Sequence, residues 1–165
     1  MPSEGRVPPL ERTQGKGYRS MSENRSQSHE TQVRVRYAET DRMGLLHHAN
    51  YIVYFEMGRT ELLRERGVSY RDLEDSGHLL VVVEIGCKFK KPAYYDDLLT
   101  IRTTVSRVTH VKVVHQYQVF RDGMLLAEGH STLACVDREG KPQALPDVIR
   151  ADVDNSNVAN RLAKE

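Results

Sequence analysis

The apolar and polar residues of this chain change period along its length, and the changes mark its elements. Over residues 31–37 (TQVRVRY), Val33, Val35 and Tyr37 alternate with Arg34 and Arg36. A period of two places the first set on one face of a half-exposed strand. A polar loop follows. Tyr51, Phe55, Gly58 and Leu62 then recur every three or four residues, the spacing of one helical face. Asn50 is the predicted N-cap, since its side-chain oxygen can accept from an N–H of the first turn. Gly67 lies just past the last periodic position, where a left-handed C-terminal residue costs least. A helix between these bounds is about 25 Å long.

After a predicted short helical turn over 70–74, the period returns to two. Residues 79–91 (LLVVVEIGCKFKK) predict a long strand whose first, almost wholly apolar part is buried on both faces. Farther along it, Val83, Ile85, Cys87 and Phe89 oppose Glu84, Lys88 and Lys90, and Pro92 ends regular pairing. Residues 97–108 predict the next strand, with Leu99, Ile101, Thr103 and Val105 on one face. Residues 111–120 follow, with Val111, Val113, His115, Tyr117 and Val119 inward. Asp122-Gly123 predicts a tight hairpin into a last strand over 124–136. A turn over 138–142 and a short helix or frayed tail from 145 close the chain. One long helix and consecutive strands joined by short turns give an α+β fold. Its sheet is antiparallel and carries the helix on one face.

Composition adds boundaries. The first 30 of 165 residues are rich in Ser, Arg, Glu, Gly and Pro and show no hydrophobic period. They read as a disordered tail, in which Met21 offers a second place for translation to begin. Residues 31–150 form one domain, and 151–165 a C-terminal tail or short helix. Lys plus Arg is 24 and Asp plus Glu 23, so no global field draws the chain to nucleic acid or an anionic membrane. No apolar run reaches membrane-spanning length and no secretory h-region is present, which points to the cytoplasm. Cys87 and Cys135 lie far apart in apolar segments and read as reduced core thiols.

The chemistry gathers before the long helix. Asp41 is a loop carboxylate that could serve as general base or nucleophile, or merely close a turn. The helix N-terminus offers N–H groups without intrahelical partners at the positive end of the dipole. His47 and His48 have no carboxylate or thiol at ligand spacing beside them, which argues against a metal. Glu56 and Glu61 on the helix read as solvated or ion-paired. Lys88, Lys90 and Lys91 cluster at a strand end. They suit either phosphate binding or the protection of a strand edge, and Arg102, Arg107 and Lys112 are weaker candidates of the same kind. No Gly-x-Ser-x-Gly elbow, P-loop or dinucleotide fingerprint occurs.

Taken together, Tyr37-x-Glu39-x-Asp41-x-x-Gly44-Leu45-Leu46-His47-His48-Ala49-Asn50-Tyr51 resembles the opening of the hotdog-fold thioesterases. It is most similar to the 4-hydroxybenzoyl-CoA thioesterase group and its Tol-Pal-associated relatives. The resemblance covers about residues 32 to 150. It implies a sheet wrapped around the helix and acyl-CoA thioester hydrolysis without a metal or redox cofactor, CoA being part of the substrate. It also implies a homodimer paired sheet edge to sheet edge, or a tetramer of two such dimers, with sites at the interface. Asp41 would act on the thioester or the attacking water, the backbone N–H of His48 would hold the oxyanion, and the His48 side chain would assist. Tyr37 and Asn50 would orient the loop, packing being the other reading of Tyr37; Tyr51 and Tyr54 would border the acyl pocket or belong to the core, and Lys88, Lys90 and Lys91 would meet the CoA phosphates. An acyl-carrier-protein thioesterase and a non-catalytic acyl-CoA sensor are the other readings.

Overall fold

The computed structural model describes residues 28–150; the first 27 residues, with Met21, and the tail over 151–165 lie outside them. The elements run β1 (Ser28–Arg34), a 3-10 turn (Tyr37–Glu39), α1 (His48–Glu65), α2 (Tyr70–Asp75), β2 (Leu79–Phe89), β3 (Leu98–Val108), β4 (Lys112–Arg121), β5 (Met124–Val136) and α3 (Asp147–Arg150). The five strands form one antiparallel sheet in the order β1-β3-β4-β5-β2. The two strands that flank α1 in sequence therefore lie on opposite edges.

The period-two reading of β3 and β4 holds. Leu99, Ile101, Thr103 and Val105 are buried on one side, with Val113, His115, Tyr117 and Val119 beside them. They meet the apolar stripe of α1, where Tyr51, Phe55, Gly58 and Leu62 are all buried. Phe55 stacks on Tyr117 with centroids 4.4 Å apart, and the Tyr117 and Ser131 hydroxyls share a 2.7 Å hydrogen bond beneath the pair. Gly58 sets how closely the helix approaches: a Cβ there would lie 2.2 Å from Thr103 Oγ1. Only glycine permits that contact. The Asp122-Gly123 hairpin forms with positive φ at both residues, and both cysteines are free thiols, Cys135 buried and Cys87 partly so.

Three expectations are corrected. β1 starts and ends three residues earlier than the alternation implied, so Tyr37 falls in the 3-10 turn and is 78% exposed. β2 is not buried on both faces. It is an edge strand, and Val81, Val82, Val83, Ile85 and Phe89 are exposed; an apolar run reports a need for cover, not which chain supplies it. The cap of α1 is His47, whose Nδ1 accepts from the Ala49 N–H at 3.2 Å, and not Asn50, which lies inside the first turn. The helix end is as expected, with Gly67 at φ +83°.

Candidate active site

The loop between β1 and α1 is held from below by Glu39. Its buried carboxylate accepts from the Arg36 backbone N–H at 2.8 Å, from Arg36 Nη2 at 2.7 Å and from Tyr54 Oη at 2.6 Å. Burial pushes the carboxyl up, but the bonds from Arg36 and Tyr54 outweigh it and hold it below the usual carboxylate value. The Glu39 carbonyl meanwhile accepts from the His47 N–H and from Asn50 Nδ2, both at 2.9 Å. One residue thus ties the loop to the middle of α1 and to its first turn.

Asp41 stands at the mouth of a tight turn. Its Oδ1 accepts from the Met43 N–H at 2.8 Å and the Leu45 N–H at 3.2 Å. Its backbone N–H donates to the Leu45 carbonyl, and its carbonyl accepts from Gly44. Gly44 closes the turn at φ +78°, a conformation costly for a residue with a Cβ. Both side-chain bonds fall on Oδ1, so Oδ2 takes no part in holding the turn.

Asp41 opens onto a cavity of about 360 Å3 whose walls include Met43, Leu46, His48, Tyr51, Phe89 and the Lys90–Pro92 stretch. That volume falls in the usual range for small-molecule sites, about 300–1,000 Å3. Tyr51 is buried and packs edge-on against Phe89, centroids 5.0 Å apart. The start of α1 faces the same space. Among the described residues, the bonds of its first turn engage the N–H groups of Ala49 and Asn50, not that of His48.

The cavity therefore gathers Asp41, His48, Tyr51, Lys90 and Lys91. It leaves three sequence candidates outside its walls. Lys88 lines a separate depression over the sheet with Gln116, Gln118 and His130. Asn50 is turned to the loop backbone. Tyr37 stands on the surface against Tyr95, rings 5.6 Å apart and nearly perpendicular. Lys90 pairs with Glu128 at 3.0 Å. Glu56 pairs with Arg59, and Glu61 with Arg64, away from this cavity. Sequence reasoning missed Phe89 as a wall and Glu39 as the anchor. The second had one local signal, the three-residue spacing to Arg36 that the 3-10 turn closes; its other partner is fifteen residues away.

Residues 35–153 match the thioesterase-like superfamily. YneP of Bacillus subtilis is 39% identical over 122 residues, spanning 70% of this chain and 88% of YneP. The acyl-CoA thioesterase YbgC of Haemophilus influenzae is 34% identical over 121 residues, spanning 72% of this chain and 89% of YbgC. The crystal structure of the DHNA-CoA thioesterase of Staphylococcus aureus superposes with a TM-score of 0.76 at 29% identity, covering 81% of this chain and 94% of that one. A sheet laid over one long helix, a turn carboxylate facing the helix start, and a family match across the whole domain agree: the chain belongs to the thioesterase-like superfamily and has its hotdog fold.

Proposed function

We propose that this thioesterase hydrolyses acyl-coenzyme A to free CoA and a carboxylic acid, with Asp41 as the catalytic carboxylate and the start of α1 as the oxyanion site. The observation that carries the reading is the convergence of Asp41 and the His48 end of α1 on one open cavity. In the general-base form, Asp41 takes a proton from a water as its oxygen attacks the thioester carbonyl carbon. The carbonyl oxygen becomes an oxyanion, which the His48 N–H and the helix dipole stabilise; one such donor is worth about 3 kcal/mol. Collapse expels the CoA thiolate, which takes up a proton. In the nucleophile form, Asp41 attacks directly and a mixed anhydride is hydrolysed in a second step. The His48 side chain, on the cavity wall, assists the proton transfers. This chemistry requires no metal or redox group.

The cavity's chemistry suggests the binding roles. Tyr51 and Phe89 border the acyl group, and Lys90 and Lys91 meet the CoA phosphates as point charges. Asn50 holds the loop, Tyr37 stands at its outer rim, and Lys88 extends the cationic strand end. The exposed apolar edge of β2 supports the further reading that two copies pair through it, since an unpaired edge of this kind invites another strand.

The test is thiol release from short, long and aromatic acyl-CoAs by wild type and Asp41→Asn. Asparagine keeps an oxygen for the Met43 and Leu45 N–H groups, so the turn survives while the base is lost. A loss of about a hundredfold or more is expected; undiminished turnover would remove Asp41 from the chemistry. Single turnover in 18O-water tests the nucleophile form: label in the Asp41 carboxyl, left when water attacks the Asp41 side of the anhydride, is reached by that route and not by the general-base one.

A further inference from the structure

We infer that the opposite end of α1 holds a second, buried site that takes a small monovalent anion of halide size between Arg59 and His115. Arg59 lies eleven residues beyond His48, about 17 Å along the helix axis. The cavity it lines shares no wall with the Asp41 cavity, so the inference does not rest on the catalytic reading. Two polar side chains more than nine-tenths buried point to a missing ligand here. Arg59 is 7% exposed, and among the described residues its Nε and Nη1 are buried without a hydrogen bond of ordinary geometry, although the Tyr70 and Tyr117 hydroxyls lie close to the guanidinium. Among the described residues, Nη2 alone meets a carboxylate, that of exposed Glu56 at a long 3.5 Å. His115, on β4, is 6% exposed, and its Nδ1 is likewise without a partner.

Between them lies a cavity of about 20 Å3, walled also by Arg66, Tyr70, Leu62 and Val113. A water or a monatomic ion needs about 10–15 Å3 of such space; a phosphate or carboxylate does not fit. The charges that face it settle which of the two. α1 presents Arg59 and Arg66, while α2 presents the Tyr70 hydroxyl and β4 presents His115, and among the described residues no wall residue is acidic. Burial, then Arg59, then Arg66 hold His115 neutral. A buried guanidinium without a close counter-charge is costly. A water would accept from Arg59 but leave its charge met only by the exposed Glu56 carboxylate at 3.5 Å. A halide accepts from Nε, from Nη1 and from His115 with its ring proton on Nδ1, and supplies the charge.

The full-chain protein is tested with chloride as the probe, by thermal unfolding in sodium chloride–sodium gluconate mixtures of constant ionic strength. Wild type is expected to gain about 4 °C in midpoint at ten times the dissociation constant and then level off. Arg59→Met, which keeps the length of the side chain, is expected to lose the dependence. A midpoint that ignores chloride, or an equal response in Arg59→Met, overturns the site. Should the variant fail to fold, crystals of wild type soaked in sodium bromide decide: an anomalous peak between Arg59 and His115 is expected. A fully hydrated cavity or one without a bromide peak overturns the inference.

Discussion

Tyr54 donates a 2.6 Å hydrogen bond from the buried face of α1 to the Glu39 carboxylate, fifteen residues earlier in the chain. The bond couples the helix interior to the loop that carries Asp41, because the same Glu39 receives Arg36 by its carboxylate and His47 by its carbonyl. Tyr54→Phe is expected to destabilise the fold by about 1.5–3 kcal/mol, the range for a bond to a charged group, and to lower turnover with it. Chemical denaturation and thiol release check the two effects. The Glu39 pKa is lowered from 4.5, so its contribution is complete above that pH and is lost as pH falls below it. Glu39→Gln should flatten the stability profile in that acid window and leave its slope at neutral pH unchanged.

The contact of Gly58 with Thr103 predicts a compensating pair. Gly58→Ala places a methyl against Thr103 Oγ1 and is expected to cost about 1–3 kcal/mol, the usual range for overpacking. Thr103 Oγ1 is itself buried without a partner, so Thr103→Ala should cost little. The double variant should recover most of the loss. Additive losses in a double-mutant cycle would show that the clash is relieved elsewhere.

The open edge of β2 predicts the assembly state. Val82 is exposed there, and Val82→Lys adds a charge of the kind that blunts strand edges. Wild type is expected to sediment as a dimer or a dimer of dimers, and the variant as a monomer with unchanged far-UV circular dichroism. A monomeric wild type would remove the pairing.

His115 predicts acid sensitivity. Burial, reinforced by Arg59 and Arg66, pulls its pKa from 6.5 down to about 3. The unfolded chain then binds a proton that the folded one refuses. Stability is complete above about pH 6.5 and falls as pH drops from there toward 3, by up to about 1.4 kcal/mol per pH unit. His115→Gln should shallow that decline in urea titrations at stepped pH.

The sheet was legible where one face is wet. Leu99, Ile101 and Thr103 alternate with polar neighbours, and burial follows the alternation. β2 was not legible, because Val81, Val82 and Val83 lack a polar alternate and the run reads as interior strand whichever chain covers it. Asp41 and His48 stood out through their linked spacing to Gly44 and Tyr51. Phe89 did not, since its place in the cavity comes from the end of a strand 41 residues after His48. The cap at His47 escaped for a smaller reason: a ring nitrogen performs what an asparagine oxygen usually does.

The order of strands has a consequence for how the protein is made. β3, β4 and β5 follow one another through tight connections and can zip together as soon as they leave the ribosome. β1 cannot: Ser28 waits for Thr104, and α1 has no sheet to lie on until that partner is synthesised. The Asp41 loop, encoded early, is thus expected to be among the last parts of the chain to become ordered. Until then the stripe from Tyr51 to Leu62 is surface that a nascent chain must keep from its neighbours.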